Sequence, residues 1–93
     1  MANEAIEQTV ISVIHDLQRL LGHPQGEVTR ETRPHKDLPW FDSHLALLAS
    51  VEIGKRLGCT LPDENIFTTK DGRTLLRVSE VVAKINEITA IRS

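Results

Sequence analysis

Aromatic side chains are scarce in this 93-residue chain, at 3%, so aliphatic residues must fill its core. A single cysteine, Cys59, leaves no pair for an internal disulfide, and the fold therefore needs no oxidising compartment. Positive charge is not in surplus either: the net charge is −2, which speaks against a dedicated nucleic-acid binder with its basic patch. No apolar run approaches the roughly 20 residues of a membrane-spanning helix, so no membrane association of that kind is expected. Glu4 and Glu7 precede the first apolar stripe, where a secretory signal would carry a basic start. Internal repeats and low-complexity tracts are missing as well. The expectation is one cytoplasmic domain over residues 1–93, with the composition of an ordinary globular protein (40% hydrophobic, 26% charged).

What is present is helical periodicity. Ile6, Val10, Val13 or Ile14, Leu17 and Leu21 recur at helical spacing and predict a first helix over 4–21. Asn3 is its candidate N-cap, and Gly22, followed by Pro24 and Gly26, is its stop. A long connection over 23–41 follows, with three prolines (Pro24, Pro34 and Pro39), alternating charges and only Val28, Leu38, Trp40 and Phe41 as apolar anchors. Loops of this length inside small domains tend to be functional. A second helix is expected over 43–57, capped by Asp42 and ended by Gly58, with Leu45, Leu48, Val51 and Ala49 as one stripe, extended by Leu47 and Ile53. The run Leu61-Pro62-Asp63-Glu64-Asn65-Ile66-Phe67 suggests one short helical turn beginning at Pro62, and Lys70-Asp71-Gly72-Arg73 a turn. A last helix over 78–88 presents Val78, Val81, Val82, Ile85 and Ile88. The predicted class is all-α, with three main helices and one short one. Val10, Ile14, Leu17, Leu48, Val51, Val81, Val82 and Ile85 are expected to share the core.

One pattern stands out chemically. Asp42-Ser43-His44-Leu45 opens an amphipathic helix, and nineteen residues after Ser43 comes Pro62, in Leu61-Pro62-Asp63-Glu64. This resembles the acyl carrier protein family, in which an Asp-Ser pair starts helix II and an aliphatic-Pro-acidic segment leads into a short helix III. The likeness runs without a gap from Asp42 to Glu64 and, more loosely, covers the whole order of helices. It implies an up-down helical bundle of right-handed sense and a 4′-phosphopantetheine arm esterified to Ser43, with Asp42 and His44 flanking the attachment. It also implies a protein that carries acyl thioesters and is not itself an enzyme. The partners implied are a phosphopantetheinyl transferase, an acyl-loading ligase or acyltransferase, and downstream synthase enzymes. A monomer suits such a shuttle.

The departures are informative. Pro39, Trp40 and Phe41 stand where the family usually has a small glycine, and His44 where leucine commonly follows the serine. The segment from Thr68 to Leu76 is longer than in compact members. Fatty acid carriers have an acidic helix II, whereas this one holds only Glu52 against Lys55 and Arg56. A specialised carrier, serving a polyketide, peptide or modified-lipid pathway, fits better than a housekeeping one. Leu45, Lys55, Arg56, Trp40 and Phe41 are the candidate partner contacts. The alternative is an unmodified helical interaction module with the carrier fold, which the loop before Ser43 favours. Trp40 and Phe41 are equally well read as core anchors of the long loop, and His44 as a plain exposed helix residue.

Other chemistry has weaker support. His15 and His23 lie eight residues apart, too far to share a metal unaided, and His35 and His44 have no cysteine pair beside them. No zinc site is expected. Cys59 reads as a small filler at a helix end and shows no local nucleophile signature.

Overall fold

The computed structural model describes residues 3–22, 27–59, 61, 65–69 and 72–92. Among the described residues four helices follow one another: α1 (Asn3–Leu20), α2 (Pro34–Asp37), α3 (Ser43–Leu57) and α4 (Val78–Arg92). The all-α class expected from periodicity is what forms. α1 packs against both α3 and α4. Ile6, Val10, Val13 and Ile14 of α1 meet Ala46, Ala49 and Ile53 of α3, and Val78, Val81, Val82 and Ile85 of α4, in one buried cluster. Leu17 packs partly buried against it, and Ile88 is half-buried. Among the described residues no helix is long and apolar enough to cross a membrane.

Helix ends follow local chemistry. Asn3 is already the first residue of α1, not a cap outside it, and its side-chain oxygen accepts from Asn86 of α4. Gly22, at φ 73°, turns the chain out of α1 in the left-handed region that a side chain rarely adopts. Gly58 does the same for α3 at φ 71°. Its N–H donates to the Lys55 carbonyl (3.2 Å) and that of Cys59 to the Gly54 carbonyl (3.0 Å), the paired bonds of a Schellman stop.

The long connection is more ordered than its composition suggests. Pro34 starts the single helical turn α2, where its missing N–H costs nothing, and the Asp37 carboxylate accepts from the Arg33 N–H at 2.8 Å. Val28, Thr32, Pro34, Leu38 and Phe41 are buried along this stretch. Its carbonyls also serve α4: Thr32 and Arg30 accept from the Val78 and Ser79 N–H groups, each at 2.9 Å, so main chain satisfies donors that open every helix. The short helix expected after α3 begins at Pro62, and residues 62–64 lie outside those described. Ile66 and Phe67, just beyond, form a turn and are fully buried. Of the expected turn Lys70-Asp71-Gly72-Arg73, Lys70 and Asp71 lie outside the described residues, and the Gly72 N–H donates to the Thr69 carbonyl at 2.8 Å. Thr68 and Leu75 form an isolated antiparallel bridge, and Gly72 takes φ 74°.

One sequence expectation fails here. Leu48 and Val51, assigned to the core, are 49% and 57% exposed. The buried face of α3 is instead Ala46, Ala49, Ser50, Ile53 and Gly54. Those positions also recur at helical spacing, so periodicity alone does not choose between the two faces. Small side chains let neighbouring backbone come close. A Cβ added at Gly54 would lie 3.0 Å from the Cys59 carbonyl oxygen, a contact set by the tight Schellman turn.

Gln18 of α1 is 1% exposed, and its Oε1 has no hydrogen-bond donor among the described residues. Gln18→Met keeps the shape and removes the orphan acceptor, whose burial costs about 1–3 kcal/mol. Urea unfolding should then show a gain of about 1 kcal/mol.

An ion cluster ties α1 to α3. The Arg56 guanidinium reaches Asp16 at 2.6 Å, Glu52 at 3.1 Å and the Ser12 hydroxyl at 3.2 Å. The hydrogen bond from Arg56 holds the Asp16 carboxyl below its ordinary 3.8, against a smaller opposing effect of desolvation. A depressed folded-state value means the contribution is present above the unfolded value and is lost as pH falls through the folded one. Arg56→Gln should therefore lower stability at neutral pH, with the difference from wild type narrowing as pH drops below about 4. Urea unfolding across that range checks it. A pair this open to solvent is worth little, and high salt should shrink the effect further.

Candidate functional site

The start of α3 is built by burial before it and capping at it. Phe41 is 2% exposed, and its ring meets those of Trp40, His35 and Phe67 edge-on at 5.5, 5.3 and 5.0 Å between centroids. Its N–H donates to the Leu38 carbonyl at 3.0 Å. With Phe41 pinned, Asp42 stands extended (φ −96°, ψ −179°), and its Oδ1 accepts from the Leu45 N–H at 2.9 Å. The Asp42 carbonyl takes the Ala46 N–H, also at 2.9 Å. The cap expected from sequence is present.

Ser43 is thus the first residue of a 15-residue helix, and it is exposed, as are Asp42 and His44. Asp42 satisfies the Leu45 and Ala46 amides, whereas those of Ser43 and His44 have no partner among the described residues. Two free N–H groups and the positive end of the helix dipole accordingly surround an accessible hydroxyl. That setting suits a phosphodiester on Ser43 Oγ. The nearby negative charge, Asp42, already faces Leu45 N–H through one oxygen.

The remaining sequence candidates separate. Phe41 belongs to the core, which settles its two readings in favour of the anchor. Trp40 is half-buried against the same cluster. Leu45 is half-buried. Leu47, Leu48 and Val51 are exposed and form an apolar stripe down the helix from Ser43, with exposed Lys55 at its far end. Arg56, expected beside Lys55 as a partner contact, has its guanidinium occupied by Asp16, Glu52 and Ser12. Leu47 was read from sequence as part of the helix stripe but not as a partner contact, although its position four residues after Ser43 could have marked it. His35 and Asn65, hydrogen-bonded at 2.8 Å next to Phe41, had no signal in the sequence at all.

Elsewhere, an open cleft of about 550 Å³ lies between α1 and α4, lined by Glu4, Glu7, Arg30, Ser79 and Asn86 among others, and none of residues 42–44 reaches it. Among the described residues no three of His, Cys, Asp and Glu converge as metal ligands would. No protein-family model matches the chain, and neither a curated protein nor a solved structure does.

Proposed function

We propose that this protein is a carrier, with 4′-phosphopantetheine on Ser43 and acyl intermediates held as thioesters on that arm. The observation that carries the reading is an exposed serine at the first position of a capped helix, flanked by two free amides. A group joined to Ser43 Oγ is fixed at its base by the helix dipole and projects into solvent from there. The chain supplies attachment and presentation, while partner enzymes do the chemistry. A cytoplasmic, monomeric shuttle for a polyketide, peptide or specialised lipid pathway is the corresponding role. Incubation with coenzyme A and broad-specificity phosphopantetheinyl transferases tests it by intact mass. One added phosphopantetheine is the expected result. No addition with any of them would leave an unmodified interaction module as the better account.

Docking follows from the exposed face of α3. Leu47, Leu48 and Val51 supply apolar contact beside the arm, and Lys55 supplies the charge, so a loading ligase should present an apolar surface bearing a carboxylate. Lys55→Glu is expected to slow loading most at low ionic strength, because salt screens exposed charges. Leu48→Ala should slow it at every salt concentration. Both variants should keep wild-type stability within about 1 kcal/mol, as exposed positions do. Lys55 is the cleaner probe of steering, since a change at Arg56 would also undo its bonds to α1.

A further inference from the structure

His35, Asn65, Phe67 and Phe41 form a closed circuit next to Ser43. The Phe67 N–H donates to Asn65 Oδ1 at 2.8 Å, and Asn65 Nδ2 lies 2.8 Å from His35 Nε2. The His35 ring meets Phe41 at 71°, and Phe41 meets Phe67 at 72°. Two links are hydrogen bonds and two are edge contacts between rings. The circuit joins α2 to the 65–67 segment and closes on the residue two places before Ser43.

The polarity of the circuit is determined throughout. A backbone N–H can only donate, so the Asn65 atom it meets must be the carbonyl oxygen. The amide nitrogen therefore faces His35, and it too can only donate. His35 Nε2 must then carry a lone pair, which places the ring proton on Nδ1 and leaves the imidazole neutral. A flipped Asn65 would set two donors against each other at Phe67, so the amide orientation follows from bonding.

We infer that His35 is a positioning residue for Ser43, acting through an Nε2 that accepts from Asn65 and thereby holds Phe41 and the start of α3 in place. The effect on modification rests on the carrier reading; the tautomer does not. Long-range ¹H–¹⁵N correlation spectra of the intact protein at neutral pH should show His35 protonated on Nδ1 alone. A ring protonated on Nε2, or averaging between both forms, would overturn the inference. Asn65→Asp keeps an acceptor for the Phe67 N–H but removes the donor to His35, so the His35 ring should gain a proton on Nε2. An unchanged ring in that variant would overturn the inference as well.

Function is read from transferase kinetics. His35→Leu should lower kcat/KM for modification by about 2- to 10-fold, the equivalent of one hydrogen bond. His35→Gln, which restores an acceptor, should recover most of the rate. Equal rates for wild type and His35→Leu, or no recovery with Gln, would reject the positioning role. If His35→Leu does not fold, the Asn65→Asp spectrum still decides. A wild type that is never modified would refute the carrier reading, and the spectra would then judge the His35 geometry separately.

Discussion

Ser43→Ala is expected to abolish modification completely, while leaving the helical far-UV signal of wild type intact. The hydroxyl is the proposed ester oxygen, so nothing at position 43 can replace it. Ser43 is exposed, and its helix is capped by Asp42, whose bonds to Leu45 and Ala46 do not involve the serine side chain. Alanine is also the best helix former, so the fold should not suffer. Intact mass after incubation with coenzyme A and transferase reads the outcome. Addition to the alanine variant would mean attachment at another serine. Ser50 is 3% exposed and donates to the Ala46 carbonyl, and Ser79 sits half-buried at the start of α4, so neither is as well presented.

Phe67→Ala should cost about 3–5 kcal/mol, a large share of the stability of a domain this small. Phe67 is fully buried, and its ring meets that of Phe41 edge-on at 5.0 Å between centroids. Removing the ring leaves Phe41 without that packing partner. The loss should pass into the site, because Phe41 leads directly into Asp42 and Ser43. Guanidinium unfolding measures the first effect, and amide exchange at Asp42 and Ser43 the second. A cost below about 1 kcal/mol would show that the ring is not a packed core member. Asp42 and Ser43 amides exchanging as in wild type would show that the helix start does not depend on it.

The limits of the sequence reading are clearest in α3. Its start, its stop and its cap are local events: Asp42 reaches a donor three residues away, and Gly58 needs only its own backbone freedom. Both were legible. The face α3 buries was not, because that depends on α1 lying against it. Apolar periodicity put Leu48 and Val51 in the core and Ala49 and Ile53 at the margins of the stripe, whereas the packed face is Ala46, Ala49, Ser50, Ile53 and Gly54. The leucines left outside became the apolar stripe beside Ser43, so an error about the core concealed a feature of the site.

The long connection shows the same division. Its prolines and charges marked a loop, but α2 depends on Asp37 reaching back to Arg33 and on burial of Pro34. Its carbonyls satisfy the first amides of α4 more than forty residues later in the chain. The Arg56 contacts with Asp16 and the His35 contact with Asn65 are equally remote, forty and thirty residues apart.

By itself, then, the sequence determined the helical class, the bounds of α3 and the place of an accessible serine at its start, since these rest on propensity, capping and periodicity over a few residues. Only the tertiary structure decided which side of α3 faces solvent, which basic residue is free at its end, and how the residues before Ser43 are held. Those outcomes depend on contacts between distant segments, whose free energy exists only once the segments have met.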